Sequence, residues 1–259
     1  MRSILIVILS ILAFANVANS QPKIQQISIW APADIKIDGN AAEWNNQFQA
    51  YNKATNIYYT IANDDKNLYL AIQATDPTII YKIINDGITL TLNNTGKKEA
   101  ANEVKITYPL FGSKNIPMIN LKDKPVPVKK SSANMAARID SFKNVLNAQL
   151  EKNSKEIKVS GISAVTDPSI SVYNEYGIRA GERFDSQIAY TYELALPVKY
   201  LGSAGIDAAH VHYNIKINGR LSGLPMNKQP VLIVASPQDK GALYDTDFWG
   251  EYTLAKKQQ

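Results

Sequence analysis

Short segments in which apolar and polar residues alternate recur along this chain of 259 residues, and they restrict it to a fold built from β-sheets. Period-two alternation is typical of a strand that buries one face, because successive side chains point to opposite sides. The clearest segments are 57–61, 68–72, 88–92, 104–108, 188–196, 211–217 and 248–254. The first two flank the polar run 63–67, so they predict a β-hairpin. Many short strands with polar turns predict an all-β fold, an antiparallel β-sandwich of two packed sheets, and a closed barrel is the alternative.

One segment departs from this alternation. From Met135 to Leu150 the apolar residues recur at intervals of three or four, which predicts one amphipathic helix. Ser131 or Ser132 is predicted to cap its start. Four prolines precede it between 109 and 127, so that stretch is predicted to be a long surface loop. Over residues 78–84 the periodicity does not decide between a helical turn and a short strand.

The N-terminus predicts export. Arg2 precedes an almost wholly apolar run, and the small residues Ala18 and Ser20 follow it, a pattern typical of a signal peptide cleaved before Gln21. The run is shorter than the roughly 20 apolar residues needed to span a bilayer. We therefore expect residues 1–20 to be removed, which leaves residues 21–259 as one domain without a membrane span, in the periplasm or outside the cell. The chain has no cysteine, so it forms no disulfides.

The charge pattern and the absence of catalytic motifs narrow the function. The formal net charge is +5, but the lysines are scattered and form no basic stripe, so a nucleic-acid partner is not expected. The sequence contains no Gly-x-Ser-x-Gly, no His-Glu-x-x-His and no phosphate-binding glycine loop. No catalytic residue is predicted, and the sequence favours a non-catalytic role over an enzymatic one.

Several motifs follow one another in an order that points to a family. The stretch 31–44 contains Ile37-Asp38-Gly39, a short spacer and Glu43-Trp44; later come a hairpin with an acidic turn (58–74), the Asp76-Pro77 break, the strand Tyr192 to Pro197, and Phe248-Trp249-Gly250. This series resembles family 9 carbohydrate-binding modules and their DOMON-like relatives. The resemblance implies a β-sandwich that binds sugars without catalysis, although some DOMON-like domains bind haem. The chain departs from the family at residues 109–164, which resemble a loop-plus-helix insertion in the sandwich. It also has only three tryptophans, where the family uses a pair of them to hold a sugar.

Aromatic side chains are the candidate ligand-binding residues. Sugar rings stack on flat aromatic faces, and tyrosine adds a hydroxyl that a polyol can bond. Five residues are predicted to bind the ligand, because they lie at a strand end, on non-core strand faces or in a predicted loop: Trp30, Tyr58, Tyr69, Tyr173 and Tyr176. Trp44 and Trp249 are predicted to pack in the structure instead. The expected partner is a glycan or another polyhydroxylated ligand, and the alternative is a secreted structural or protein-interaction module.

The only two histidines and four aspartates are the candidates for metal binding. His210 and His212 share one face of a predicted strand and could ligate zinc or copper, but no third ligand is adjacent in sequence. A solvated polar face is the simpler interpretation, so no metal ligand is predicted. Calcium is left open because four aspartates sit in or near turns, although turn propensity accounts for them: Asp64, Asp65, Asp245 and Asp247. A haem is not expected.

Overall fold

Two antiparallel sheets face each other in the computed structural model, which describes residues 21–111, 116–126, 134–203, 205–207, 210–222 and 241–257. The predicted signal peptide and the predicted helix caps Ser131 and Ser132 lie outside the described residues. The strands are β1 (Ala50–Asn52), β2 (Ile57–Asn63), β3 (Asn67–Ala74), β4 (Ile88–Asn93), β5 (Glu103–Leu110), β6 (Glu156–Ser160), β7 (Ser169–Ser171), β8 (Arg179–Phe184), β9 (Tyr190–Pro197), β10 (Val211–Ile217) and β11 (Thr246–Tyr252). The helices are α1 (Pro77–Asp86), α2 (Met135–Asn153) and α3 (Lys199–Ser203), with 3-10 turns at Ala41–Trp44 and Leu121–Asp123.

The strand order confirms the predicted all-β sandwich. One sheet has five strands in the order β1-β2-β3-β9-β8, and the other has six in the order β11-β10-β4-β5-β6-β7. The core lies between them, and the predicted alternation assigns its residues to the correct face. On β10, for example, Val211, Tyr213, Ile215 and Ile217 are buried. The hydroxyls of Tyr59 and Tyr213 meet at 3.0 Å and join the two sheets across the core.

A capping signal at Asp76-Pro77 begins α1 and makes residues 78–84 helical. The carboxylate of Asp76 accepts hydrogen bonds from the backbone N–H groups of Thr78 and Ile79, and Pro77 takes the first helical position, where its missing N–H costs nothing. The periodicity of 78–84 left helix and strand open, and the capping pair Asp76-Pro77 is the sequence signal that could have decided it. The amphipathic helix is confirmed as α2, which begins after Asn134 without a side-chain cap.

The predicted insertion contains more sheet than the sequence indicated. Residues 156–160 form β6, which pairs with β5 and carries β7 in turn, so the segment 109–164 includes one of the sheet strands. The sequences of β1, β7 and β8 show no clear alternation, so these strands were not predicted. Ile188 was expected to start a strand, but its φ of +61° places it in the preceding turn, and β9 begins at Tyr190.

The N-terminal segment packs on the outer face of the five-stranded sheet. Its residues Ala31, Ala41, Trp44 and Phe48 form a second hydrophobic cluster with Ala62, Tyr69, Ala71 and Ala195 of the sheet. Because this layer covers the outer face, β9 is buried on both sides along its whole length. Within the described residues, no helix has both the length and the apolar character required to cross a membrane.

The centre of that layer is the buried carboxylate of Glu193. It accepts hydrogen bonds from the indole N–H of Trp44 (2.7 Å) and from the backbone N–H groups of Asp38 (3.1 Å) and Gly39 (2.8 Å). A Cβ on Gly39, whose φ is +78°, would overlap the backbone of β8, so only glycine permits this close approach. The Ile-Asp-Gly, Glu-Trp and Tyr-Glu motifs therefore meet at one structural junction, which confirms the predicted packing role of Trp44.

Candidate functional site

The outer face of the six-stranded sheet carries a polar groove of about 650 Å³, which we call the outer groove. Strand alternation creates it, because each strand that sends apolar side chains into the core sends polar ones outward. The register aligns these side chains in rows. One row crosses five strands through Trp249, Asn214, Thr91, Lys105 and Ser160, and the next runs through Asp247, Lys216, Thr89, Thr107 and Lys158.

The charges of the outer groove cancel. Five basic and five acidic side chains line it: Lys98, Lys105, Lys158, Lys216 and Arg220, against Asp86, Glu99, Glu103, Asp245 and Asp247. A polyanion would meet as many carboxylates as cations here. The groove is therefore suited to a neutral ligand that forms many hydrogen bonds.

Hydrogen bonds hold the side chains of the outer groove in place. The amide of Asn214 donates to Asp247 Oδ2 (2.8 Å) and to a backbone carbonyl of β11 (2.9 Å). Lys98 and Lys216 pair with Asp247 and Asp245, each at 3.2 Å. Groups restrained in this way lose little further freedom when a ligand binds.

Two carboxylates at one end of the outer groove titrate differently. Burial raises the pKa of Asp86 to about 6, although the charges of Arg220 and Lys82 oppose the increase. Burial also acts to raise the pKa of Asp245, but the hydrogen bond from the Gly219 N–H and the charge of Lys216 lower it overall. Both carboxylates are therefore largely ionised at neutral pH, so the charge balance of the groove holds there.

Trp249 lines the outer groove instead of packing in the core, which corrects the sequence-based prediction. Its neighbour Phe248 is the buried member of the pair, and Trp249 is only partly buried. The physical reason is the period of the strand: Phe248 and Tyr252 face inward, so Trp249 faces outward. The alternation in β11 was a signal that could have identified it.

Tyr58 and Tyr69 lie on the non-core face of their strands, as predicted, but on the opposite sheet from the outer groove. The layer of N-terminal residues covers that face. Tyr69 is only 7% exposed, its ring contacts Trp44 edge-on at 6.4 Å, and its hydroxyl donates to Asp64. Tyr58 is partly buried against the ring of Tyr51 at 4.7 Å. Tyr69 therefore presents no free ring face for stacking.

The other predicted aromatic residues are dispersed. Trp30 is partly buried and forms an isolated bridge with Asn63. Tyr173 is 79% exposed, with the ammonium group of Lys155 5.5 Å from its ring centre. Tyr176 joins Tyr69 in a second groove of about 510 Å³ at the end of the five-stranded sheet. The structure thus brings two of the five predicted residues together and places none of them in the outer groove.

The aspartates considered for calcium accept hydrogen bonds from protein groups. Asp64 Oδ1 accepts from the backbone N–H groups of Lys66 and Asn67, both at 2.7 Å, as expected for a side chain that stabilises a turn. Asp245 and Asp247 have the partners described above, and Asp65 borders the second groove. Turn formation accounts for Asp64, and calcium binding stays untested.

In the folded chain the two histidines lie beside Glu251, a residue that is distant from them in sequence. Glu251 on β11 lies directly opposite His212 on β10. One carboxylate oxygen of Glu251 lies 3.5 Å from a ring nitrogen of His210, and its other oxygen lies 3.5 Å from a ring nitrogen of His212.

Comparison of the sequence with models of known protein families and with curated proteins found no match. The resemblance to family 9 carbohydrate-binding modules therefore rests on the motifs described above and stays a prediction.

Proposed function

We propose that this protein binds a glycan or another neutral polyhydroxylated ligand in the outer groove, without catalysis and outside the cytoplasm. The observation that carries the proposal is the partly exposed Trp249 beside a charge-balanced polar surface. An indole offers a flat apolar face to the C–H face of a sugar ring, while the surrounding amides, hydroxyls and charged groups bond its hydroxyls.

The size and composition of the groove support the same class of ligand. A volume of about 650 Å³ lies within the range of about 300–1,000 Å³ typical of small-molecule sites. Lys98 and Lys105, which border the groove, have side chains 71% and 40% exposed, so a ligand meets them and Trp249 before the threonines of the sheet. The predicted signal peptide and the family resemblance favour an extracytoplasmic sugar-binding module.

A haem-binding function has less support. An axial haem ligand stands over a large apolar pocket. His210 and His212, the only histidines, lie on the polar outer side of the six-stranded sheet, and the recess beside His210 is bordered by Gln26, Ser28 and Glu251.

The test is a binding screen of the processed protein against a broad glycan array, followed by titration calorimetry with the best ligand. Trp249→Ala should weaken binding at least tenfold, equivalent to about 1.4 kcal/mol. Tyr173→Ala, which removes an exposed aromatic ring outside the outer groove, is the matched control and should bind normally. Circular dichroism verifies that both variants fold.

Two results would overturn the proposal. Normal binding by Trp249→Ala together with loss in a variant of Trp30, Tyr58 or Tyr176 would move the site to another surface. No binding to any glycan on the array would remove the glycan function and favour the protein-interaction module instead.

A further inference from the structure

We infer that His210, His212 and Glu251 form a binding site for a divalent transition-metal ion such as zinc. One ligand atom from each side chain lies within 4.8 Å of the other two. The inference is independent of the glycan proposal, because it rests on a different set of side chains and is tested with the metal alone.

The fold brings the three side chains together by two rules of β-structure. His210 and His212 are two residues apart and project on the same side, and Glu251 is the cross-strand partner of His212 in the β10–β11 ladder. The two imidazole rings stand 5.1 Å apart and almost perpendicular, at 85°. Their nitrogens therefore converge on the carboxylate from two directions.

The two nitrogen–oxygen distances are longer than direct hydrogen bonds and close to the separation of two ligands on one ion. Glu251 Oε2 lies 3.5 Å from His210 Nε2, and the other carboxylate oxygen, Oε1, lies 3.5 Å from His212 Nδ1. Hydrogen bonds between nitrogen and oxygen are typically about 2.7–3.2 Å long. Two ligands on a tetrahedral zinc ion, each about 2.0–2.2 Å from the metal, are separated by about 3.3 Å. Small rotations of the exposed side chains would complete this geometry.

The surroundings hold one histidine firmly and leave the ion a route from solvent. The side chain of His212 is only 18% exposed, and Gly96 packs so closely that a Cβ there would lie 2.9 Å from His212 Nδ1. The backbone N–H of His210 donates to the carbonyl of Asp207. The His210 and Glu251 side chains are 53% and 61% exposed.

The donor set selects the class of metal. Two imidazole nitrogens and one carboxylate oxygen suit zinc, copper or nickel, whereas calcium and magnesium prefer sites made of oxygen. Three protein ligands leave one tetrahedral position for water or a small ligand. A recess of about 450 Å³ adjoins His210 and Glu251 and provides room for it.

The experiment titrates zinc chloride into the tag-free, chelator-treated processed protein in competition with a chromogenic zinc indicator, in the absence of any sugar. We expect one zinc ion per chain with a dissociation constant of about 10 µM or tighter. His210→Ala, His212→Ala and Glu251→Gln should each weaken binding at least tenfold. His210 and Glu251 are exposed, so their variants should fold normally.

Glu156→Gln is the matched control, because it removes an exposed carboxylate from the outer side of the same sheet, four strands away from β11. It should bind zinc like the unmodified protein. Thermal unfolding gives a second readout, since zinc should raise the Tm of the control and not that of His210→Ala. Binding weaker than about 100 µM, or full affinity retained by His210→Ala and Glu251→Gln, would overturn the inference.

Discussion

Replacement of Trp44 by phenylalanine should lower the free energy of unfolding by about 2.5–4 kcal/mol, because it deprives the buried carboxylate of Glu193 of one of its hydrogen bonds and leaves a void. The indole N–H donates to Glu193 Oε1 at 2.7 Å. A hydrogen bond to a charged group contributes about 1.5–3 kcal/mol. The smaller ring also leaves a void under a residue that is buried, which adds about 1 kcal/mol.

A double-mutant cycle isolates the hydrogen bond from the void. Glu193→Leu removes both acceptor oxygens at similar size, so the variants Trp44→Phe and Glu193→Leu and their combination should show a coupling energy of about 1–3 kcal/mol. Urea unfolding followed by far-UV circular dichroism is the appropriate assay, because tryptophan fluorescence changes when Trp44 is removed. The reasoning would be refuted if the stability losses of the two single variants summed to that of the double variant to within about 0.5 kcal/mol.

The pH dependence supplies an independent check on the same residue. Burial raises the pKa of Glu193 to about 7, and the hydrogen bonds from Trp44, Gly39 and Asp38 lower it in part. A carboxyl whose folded pKa exceeds its unfolded pKa destabilises the fold as pH rises through that interval. Without the Trp44 donor the pKa rises further, so the stability lost in Trp44→Phe should be greater at pH 8 than at pH 5. Equal losses at both values would contradict this account.

Three other perturbations have defined outcomes. Burial also raises the pKa of Glu182 to about 7, so stability should fall between pH 5 and pH 8, and Glu182→Gln should reduce that fall by up to about 3 kcal/mol in chemical unfolding. Gly250→Ala should lower stability by more than about 2 kcal/mol in thermal unfolding, because its Cβ would overlap the Tyr213 ring. Gly241→Ala, whose Cβ meets no atom of the described residues within 4 Å, should be neutral. Tyr59→Phe should be more destabilising than Tyr213→Phe, since the Tyr59 hydroxyl also accepts from a backbone N–H, and the reverse order in urea unfolding would refute that role.

The sequence allowed the fold class and most of the strands to be predicted, because they depend on local periodicity. The alternation of β10 reflects the burial of its apolar side chains away from water. It therefore identified both the strand and its buried face. The same alternation in β11 places Trp249 on the outer face. The prediction that Trp249 packs in the core relied instead on the tendency of large aromatic side chains to be buried. The helix α1 was left undecided, although the cap Asp76 and Pro77 could have indicated it.

The candidate sites depended on contacts between residues distant in sequence. Tyr58 and Tyr69 were assigned to the correct face, yet only the packing of the N-terminal segment on that face shows that it is covered. The pairing of Glu251 with His212 requires the register of β11 against β10, across 38 intervening positions of the chain, part of which the structure does not describe. Periodicity acts within a strand, so the sequence determines which way a side chain points; tertiary packing decides what it meets there.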